Sequence, residues 1–345
     1  MKIVVASSIV PAVRGGGRII VDNLVRHLHE RDHEVEEVLL PSWSEPDVLV
    51  EQLLAMRLLD LRDAGERLIA IRVPAHLIRH SNKVLWFIHH QREAYDLWGT
   101  AYQGIPVGPE GERIRRAIQA GDRLAFAESR AVFTNSKIVS RRLAEFNRVT
   151  SEVLYPPLGD PSGYRCGEFG DYVVYPSRVT RIKRQHLLVE SLKYTETDAR
   201  VVLLGAPDLP ADHEYIEAAL DDNDVRHRVV FSGTWVGERE KQRLLANAVA
   251  CAYIPYDEDS YGYPTLESFH SRKPVLTCTD SGGTQELVED GVTGRVVPPD
   301  PRALAVAIDD LIRDKQRAAE LGQAGFRRLQ ELRLGWDHVI ERLLA

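Results

Sequence analysis

Cysteine is scarce: Cys166, Cys251 and Cys278 are the only three in 345 residues, and none has metal-knuckle spacing. That usage argues against a disulfide scaffold and a zinc finger. Cys251 and Cys278 lie in apolar, strand-like segments where reduced core thiols are expected. Long apolar runs are also missing, and no stretch approaches the roughly 18 residues that cross a bilayer. The apolar start at 2–7 soon turns polar and glycine-rich, which reads as a first strand and not as a signal peptide. A cytoplasmic location is the expectation. Positive charge is not in excess either: a net charge of −7 argues against bulk nucleic-acid binding. What remains, with 44% hydrophobic and 28% charged residues, is the composition of an ordinary globular chain long enough for about two domains.

The pattern along the chain alternates strand and helix. Residues 2–7 form a continuous apolar run, as in a parallel strand buried on both faces. Gly15-Gly16-Gly17 then opens a helix reaching about residue 31, with Ile20, Leu24, Val25 and Leu28 at helical spacing. Further strands are predicted at 34–40, 67–73, 83–88, 131–134 and 152–155, with helices at 46–63, 112–129 and 137–146. Residues 156–170 carry a proline pair and several glycines, a linker composition. Beyond it the alternation restarts. Strands are expected at 172–175, 200–204, 228–231, 251–254 and 274–277, helices between them, and helical patterns fill the C-terminus. Two such blocks predict two doubly wound α/β domains, whose ligands bind beyond the carboxyl ends of the strands.

The chemistry-bearing residues fall at those ends. In Tyr256–Glu289, carboxylates Glu258 and Asp259 precede a glycine turn, Gly262-Tyr263-Pro264-Thr265 opens a helix, and Glu267 is expected on its first turn. A short strand leads to Gly282-Gly283 at the start of another helix. Carboxylates accept hydrogen bonds from sugar and ribose hydroxyls, and helix N-termini receive phosphate oxygens. A polyol diphosphate such as a sugar nucleotide suits this pair of loops; helix capping is the plainer role for the carboxylates. Ser177-Arg178-Val179-Thr180-Arg181-Ile182-Lys183 follows the first strand of the second block. Arg178 and Lys183 can converge on one diphosphate, or the loop is a solvated basic one, as Arg181 and Arg184 are expected to be. Gly15–Gly17 comes eight residues past its strand and has Ile20 where a third glycine would stand, so it is a poor nicotinamide fingerprint. Gly16 and Gly17 fit better as a close approach to a phosphate or sugar, or as a plain turn. His89, His90, Arg92, Tyr95 and Trp98 end a strand of the first block. They are candidates for an acceptor pocket, or core groups. Arg113, Arg115, Arg116 and Arg123 make one helix basic, but Glu112, Asp122 and Glu128 dilute it, so membrane association is not favoured.

Taken together, the chain resembles a GT-B fold glycosyltransferase of retaining family 4, the E-x7-E type. The resemblance runs through the Gly15-Gly16 loop, R-H-L-H-E-R-D-H-E-V at 26–35, H-H-Q-R-E-A-Y-D-L-W from His89, F-T-N-S-K at 133–137, S-R-V-T-R-I-K-R at 177–184, the acidic loop through Gly283, and E-D-G-V-T-G-R-V-V-P-P-D at 289–300. It implies two Rossmann-like domains facing across a cleft: residues 1–160 for the acceptor, 161–328 for the nucleotide-sugar donor, and a helix in 329–345 crossing back to the first. It implies that Arg178 and Lys183 hold the diphosphate and that Glu267 bonds the ribose hydroxyls. Gly16, Gly17, Ser177, Gly262, Tyr263, Pro264, Thr265, Gly282 and Gly283 would line the donor site. Counting back eight from Glu267 gives Asp259 as the acid that contacts the transferred sugar, where the family has glutamate; Glu258 serves if Ser260 is an insertion. His89 joins the catalytic candidates, and His90, Arg92, Tyr95 and Trp98 the acceptor contacts. No cofactor or metal is expected beyond the sugar nucleotide, with a small molecule, glycan or lipid-linked group as acceptor. A sugar-nucleotide epimerase, an inverting transferase of the same fold and a non-catalytic sugar-nucleotide-binding protein are the competing readings.

Overall fold

The computed structural model describes residues 1–10, 15–43, 45–100, 102–332 and 334–345. The chain divides into two units, Met1–Pro157 with Gly335–Ala345, and Leu158–Leu334. The divisions expected after residues 160 and 328 thus fall at 157 and 334. The second of these lies beyond the helix Lys315–Glu331, which the expected boundary would cut.

The first unit holds six strands: β1 (Lys2–Ile9), β2 (Glu34–Pro41), β3 (Arg67–Ala70), β4 (Lys83–Phe87), β5 (Ala131–Thr134) and β6 (Glu152–Val153). They form one parallel sheet in the order β2-β1-β3-β4-β5-β6. Ile3, Val4, Val5 and Ala6 of β1 are fully buried, as a central strand covered on both faces must be. The helix expected over 46–63 is shorter, a 3-10 turn Pro46–Val48 followed by Leu49–Leu58. Leu59 turns extended, and Asp60 bonds Arg62 and pairs with Arg79, so a local charge cluster takes over where the apolar run suggested helix. Ser136 caps the helix Lys137–Arg142 by accepting from the Val139 amide at 3.0 Å. The helix Trp336–Leu344 belongs to this unit. Its Trp336 stacks on His27 at 4.9 Å and meets the edge of Trp86 at 6.0 Å, and the Leu343 carbonyl accepts from Arg67 at 2.7 Å.

The second unit also has six parallel strands: β7 (Tyr172–Pro176), β8 (Arg200–Leu204), β9 (Val229–Phe231), β10 (Ala250–Ala252), β11 (Val275–Cys278) and β12 (Gly294–Val297). Their order is β12-β11-β10-β7-β8-β9. The sequence pattern predicts five. The sixth, β12, is a four-residue edge strand whose middle residues are half exposed, too short and too mixed to show an apolar run. The sheet reverses direction of winding between β7 and β10, the place where an open α/β sheet leaves a crevice at the carboxyl ends of its strands. Among the described residues, no helix is long and apolar enough to cross a membrane.

Candidate functional site

Three loops leave β7, β10 and β11 at that reversal, and Arg184 ties them together. Its guanidinium donates to the carbonyls of Ile254 and Pro255, both at 2.9 Å, and takes both oxygens of Asp280 at 2.7 Å. Arg184 is only 7% exposed and sits at φ 56°. The expectation of a solvated arginine is therefore wrong for Arg184: it is the buried fork that fixes the loops. Exposed Arg181 rests over the Tyr215 ring. Tyr175 adds a second tie, donating to the Lys183 carbonyl at 2.6 Å and accepting from the Ile254 amide at 3.1 Å.

On this frame the two cations expected at the diphosphate, Arg178 and Lys183, are each matched by a carboxylate. Arg178 pairs with Asp208 and Lys183 with Glu258. Lys183 also donates to the Tyr253 hydroxyl at 2.8 Å, and Tyr253 donates to Glu258 at 3.0 Å. Gln185 bonds the Ser177 hydroxyl at 3.0 Å and the Arg178 carbonyl at 2.8 Å, which fixes the loop between the two cations. Asp259 lies half-buried in the bend that follows Glu258. Glu258, one of the two alternative acids, is thus joined to Lys183.

The glycines are demanded by close packing. Gly262 has φ 75°, and a Cβ there would lie 2.0 Å from Cε1 of Tyr253. Gly282 has φ 60°, and its Cβ would come within 2.5 Å of the Glu258 carbonyl oxygen; that of Gly283 would meet Ser260 at 2.7 Å. The Gly283 amide donates to the Glu258 carbonyl at 2.8 Å, so the glycine loop and the acidic loop lie backbone against backbone. The stretch from Gly282 is a single 3-10 segment, Gly282–Glu286, in place of the expected helix.

Gly262 caps the helix Tyr263–His270, with Pro264 in its first turn. Glu267 falls one turn later than expected and is 5% exposed. Its carboxylate meets the Lys241 ammonium at 2.6 Å, and Lys241 reaches Glu238 at 3.0 Å. Burial pushes the Glu267 carboxyl up from its ordinary range, and Lys241 pulls it back. Thr265 is buried, bonding the Tyr261 carbonyl at 2.6 Å. The Tyr263 hydroxyl is buried and has no hydrogen-bond partner among the described residues. Sequence reading missed Tyr164, Asp208, Glu238, Lys241 and Tyr253. Lys241 stands in E-R-E-K-Q-R, which looks like a charged surface helix. The one hint is that buried Leu245 lies four residues on, on the same face.

In the first unit, Gly16 and Gly17 begin the helix Gly16–His29, and the Gly15 carbonyl accepts from the amides of Arg18 and Ile19. A Cβ on Gly17 would press on Ile88 at 3.3 Å. Residues 11–14 of the preceding loop lie outside the described residues. Burial first, and then Arg72, lowers His89 to about 3, so the ring is neutral near pH 7. Its Nδ1 donates to the His90 carbonyl at 2.8 Å, which leaves Nε2 as a hydrogen-bond acceptor and a weak base. His90 and Tyr95 are 1% and 7% exposed, packed with Phe87 and Phe146. Their expected acceptor contacts give way to a core network: His90 donates to Asn147, Asn147 to the Tyr95 hydroxyl, Tyr95 to Asp122, and Asp122 meets His76. Arg92 is locked to Asp96, and Trp98 lies under Arg115 at 4.7 Å. Among the described residues, no group of three His, Cys, Asp or Glu side chains could hold a metal ion.

Two all-parallel sheets, the second reversing between β7 and β10 under a clustered cation and carboxylate site, superpose over nearly the whole chain on solved structures of the GT-B fold. Residues 170–314, all within the second unit, match the model of the family Glycosyl transferases group 1. The chain is 29% identical over 214 residues to the alpha-maltose-1-phosphate synthase of Mycolicibacterium smegmatis, covering 57% of this chain and 54% of that protein. It is 32% identical over 163 residues to the GDP-mannose-dependent alpha-(1-6)-phosphatidylinositol monomannoside mannosyltransferase of the same organism, covering 44% and 41%. The matched segments thus span about half the length of these relatives. Among solved structures, the sucrose-phosphate synthase of Thermosynechococcus elongatus superposes with a TM-score of 0.79 at 17% identity, covering 99% and 97% of the chains. HepE of Anabaena, solved with UDP and glucose, gives 0.71 at 17%, covering 99% and 98%.

Proposed function

We propose that the chain is a glycosyltransferase that moves a sugar from a nucleoside-diphosphate sugar to an acceptor hydroxyl with retention at the anomeric carbon. The observation that carries this reading is the buried Glu267 carboxylate held against Lys241, on a glycine-opened helix beside the Arg178 and Lys183 loop. Glu267 accepts the ribose hydroxyls. Arg178 and Lys183 exchange their carboxylate partners for the diphosphate and stabilise the charge that builds as the anomeric C–O bond breaks. Asp259, by its spacing from Glu267, contacts the transferred sugar. The leaving phosphate oxygen takes the proton of the acceptor hydroxyl, and the new glycosidic bond forms on the face it vacates. No enzyme nucleophile and no metal is assigned a step. His89 offers a neutral acceptor nitrogen to a hydroxyl in the first unit.

HepE binds UDP and one relative is named for GDP-mannose, so UDP and GDP head a thermal-shift panel that also includes dTDP and ADP. The sugar conjugates of the stabilising nucleotide are then tested for transfer, with the product anomer read by NMR. Glu267→Gln should weaken nucleotide binding by roughly ten- to a hundredfold, the value of about one charged hydrogen bond. A product of inverted configuration would refute retention; a Glu267→Gln protein that binds as wild type would refute the site.

A further inference from the structure

Glu267 is the most deeply buried carboxylate of the candidate site, and burial alone would favour its neutral form. The neutral form is the wrong one for the role proposed above. A carboxylate presents two acceptor oxygens to a pair of ribose hydroxyls; a carboxylic acid keeps one and turns the other into a donor. Something must keep the charge on Glu267.

The groups that face it are few. From the helix Glu238–Asn247 come Lys241 and Glu238; from the segment after Leu158 comes Tyr164; from β10 comes Cys251; and Tyr263 lies on its own helix. Burial holds Tyr164, Tyr263 and Cys251 in their neutral forms. Glu238 opposes the charge on Glu267. Among these groups Lys241 is the one cation, 2.6 Å from Glu267 and 3.0 Å from Glu238. Glu238 in turn accepts from the Tyr164 hydroxyl at 2.5 Å, and Lys241 lies 6.0 Å from the Tyr164 ring. The lysine is therefore held on three sides.

We propose that Lys241 is a positioning residue: it holds Glu267 ionised and in place as the acceptor of the ribose hydroxyls, and Glu238 with Tyr164 fixes Lys241 for that task. The inference rests on the donor-site reading above, and its test separates the two. Without Lys241, the buried carboxylate beside Glu238 takes up a proton, and nucleotide binding is lost as the pH falls through the raised pKa.

The test combines a direct titration with binding. Carbon-13 NMR of the side-chain carboxyls, with the Glu267 signal assigned by its absence in Glu267→Gln, gives the Glu267 pKa in wild type, Lys241→Met, Lys241→Gln and Lys241→Arg. Calorimetry with the stabilising nucleoside diphosphate gives its Kd at pH 6 and 8.5. Glu267 should titrate at least one unit higher in Lys241→Met and Lys241→Gln, and their Kd should weaken about tenfold more than wild type between pH 8.5 and 6. Lys241→Arg, which keeps the charge, should follow wild type. Lys241→Gln retains a hydrogen-bond donor, so it separates charge from bonding and serves if the Met variant does not fold. An unmoved Glu267 titration in both neutral variants overturns the inference whatever the binding shows. A nucleotide Kd that Glu267→Gln leaves unchanged overturns the donor-site reading itself, even if Lys241 does set the Glu267 pKa.

Discussion

Gly262 is where backbone and site depend most on one another, and Gly262→Ala measures that dependence. At φ 75° and ψ 135° the residue occupies a region that side-chain-bearing residues rarely adopt, at a cost of about 1–3 kcal/mol. The added Cβ would stand 2.0 Å from the Tyr253 ring, and forcing a buried ring aside costs a further 1–3 kcal/mol or so. The sum, about 2–6 kcal/mol, is a large part of the stability of a typical domain. For a unit of this size it corresponds to a fall in Tm of roughly 5–20 °C. Tyr253 cannot move without disturbing its bonds to Lys183 and Glu258, so nucleotide binding should weaken in parallel. Differential scanning fluorimetry with and without nucleotide reads both effects. Gly237→Ala is the control: its φ is −64° and none of the described residues beyond its chain neighbours lies within 4 Å of the new Cβ, so it should cost less than about 1 kcal/mol. If Gly262→Ala melts within about 1 °C of wild type, Tyr253 is not packed as described and the strain argument fails.

Two further outcomes follow from the packing. Trp336→Ala should remove about 3–5 kcal/mol from the first unit, because the ring is 6% exposed and lies between His27 and Trp86; hydrogen exchange should show the loss in Gly16–His29 and not in the second unit. Lys273 is fully buried, bonded to the Glu168 carbonyl, and burial lowers its pKa from 10.5 to about 8. Because the unfolded chain holds that proton more tightly, stability should rise with pH between about 8 and 10.5, by roughly 1–3 kcal/mol. Urea titrations across that range should show the rise in wild type and its absence in Lys273→Met; equal slopes would mean that Lys273 keeps an ordinary pKa.

Both sheets were legible because central parallel strands are apolar throughout. Residues 2–7, 131–134 and 200–204 announce themselves by composition. β12 was not, since an edge strand needs only one apolar face. The loops with Glu258, Glu267, Gly262 and Gly282 could be read because glycines and carboxylates after strands carry chemical meaning. Their supports could not. Lys241 is 26 residues from Glu267, and only the fold brings the two together. Arg184 looked like one more cation in a basic run, whereas three carbonyl and carboxylate partners supplied from 70 to 96 residues away make it a structural fork. His90 and Tyr95 erred the other way: aromatic and histidine side chains at a strand end suggest a pocket, but Asn147 takes Nε2 of His90 and Asp122 takes the Tyr95 hydroxyl.

The second unit is a continuous stretch, Leu158–Leu334, whereas the first is closed by Gly335–Ala345. Synthesis therefore delivers the middle of the chain before the beginning can be finished. For the time needed to add those residues, about 10–35 s at ordinary elongation rates, the nascent first unit lacks Trp336 against His27 and Trp86, and Arg67 lacks the Leu343 carbonyl. The second unit, by contrast, has all its partners as soon as it emerges. A chain cut after residue 334 would keep a complete second unit and an open first one, and chaperones that bind exposed aromatic surface would meet it at its N-terminal half.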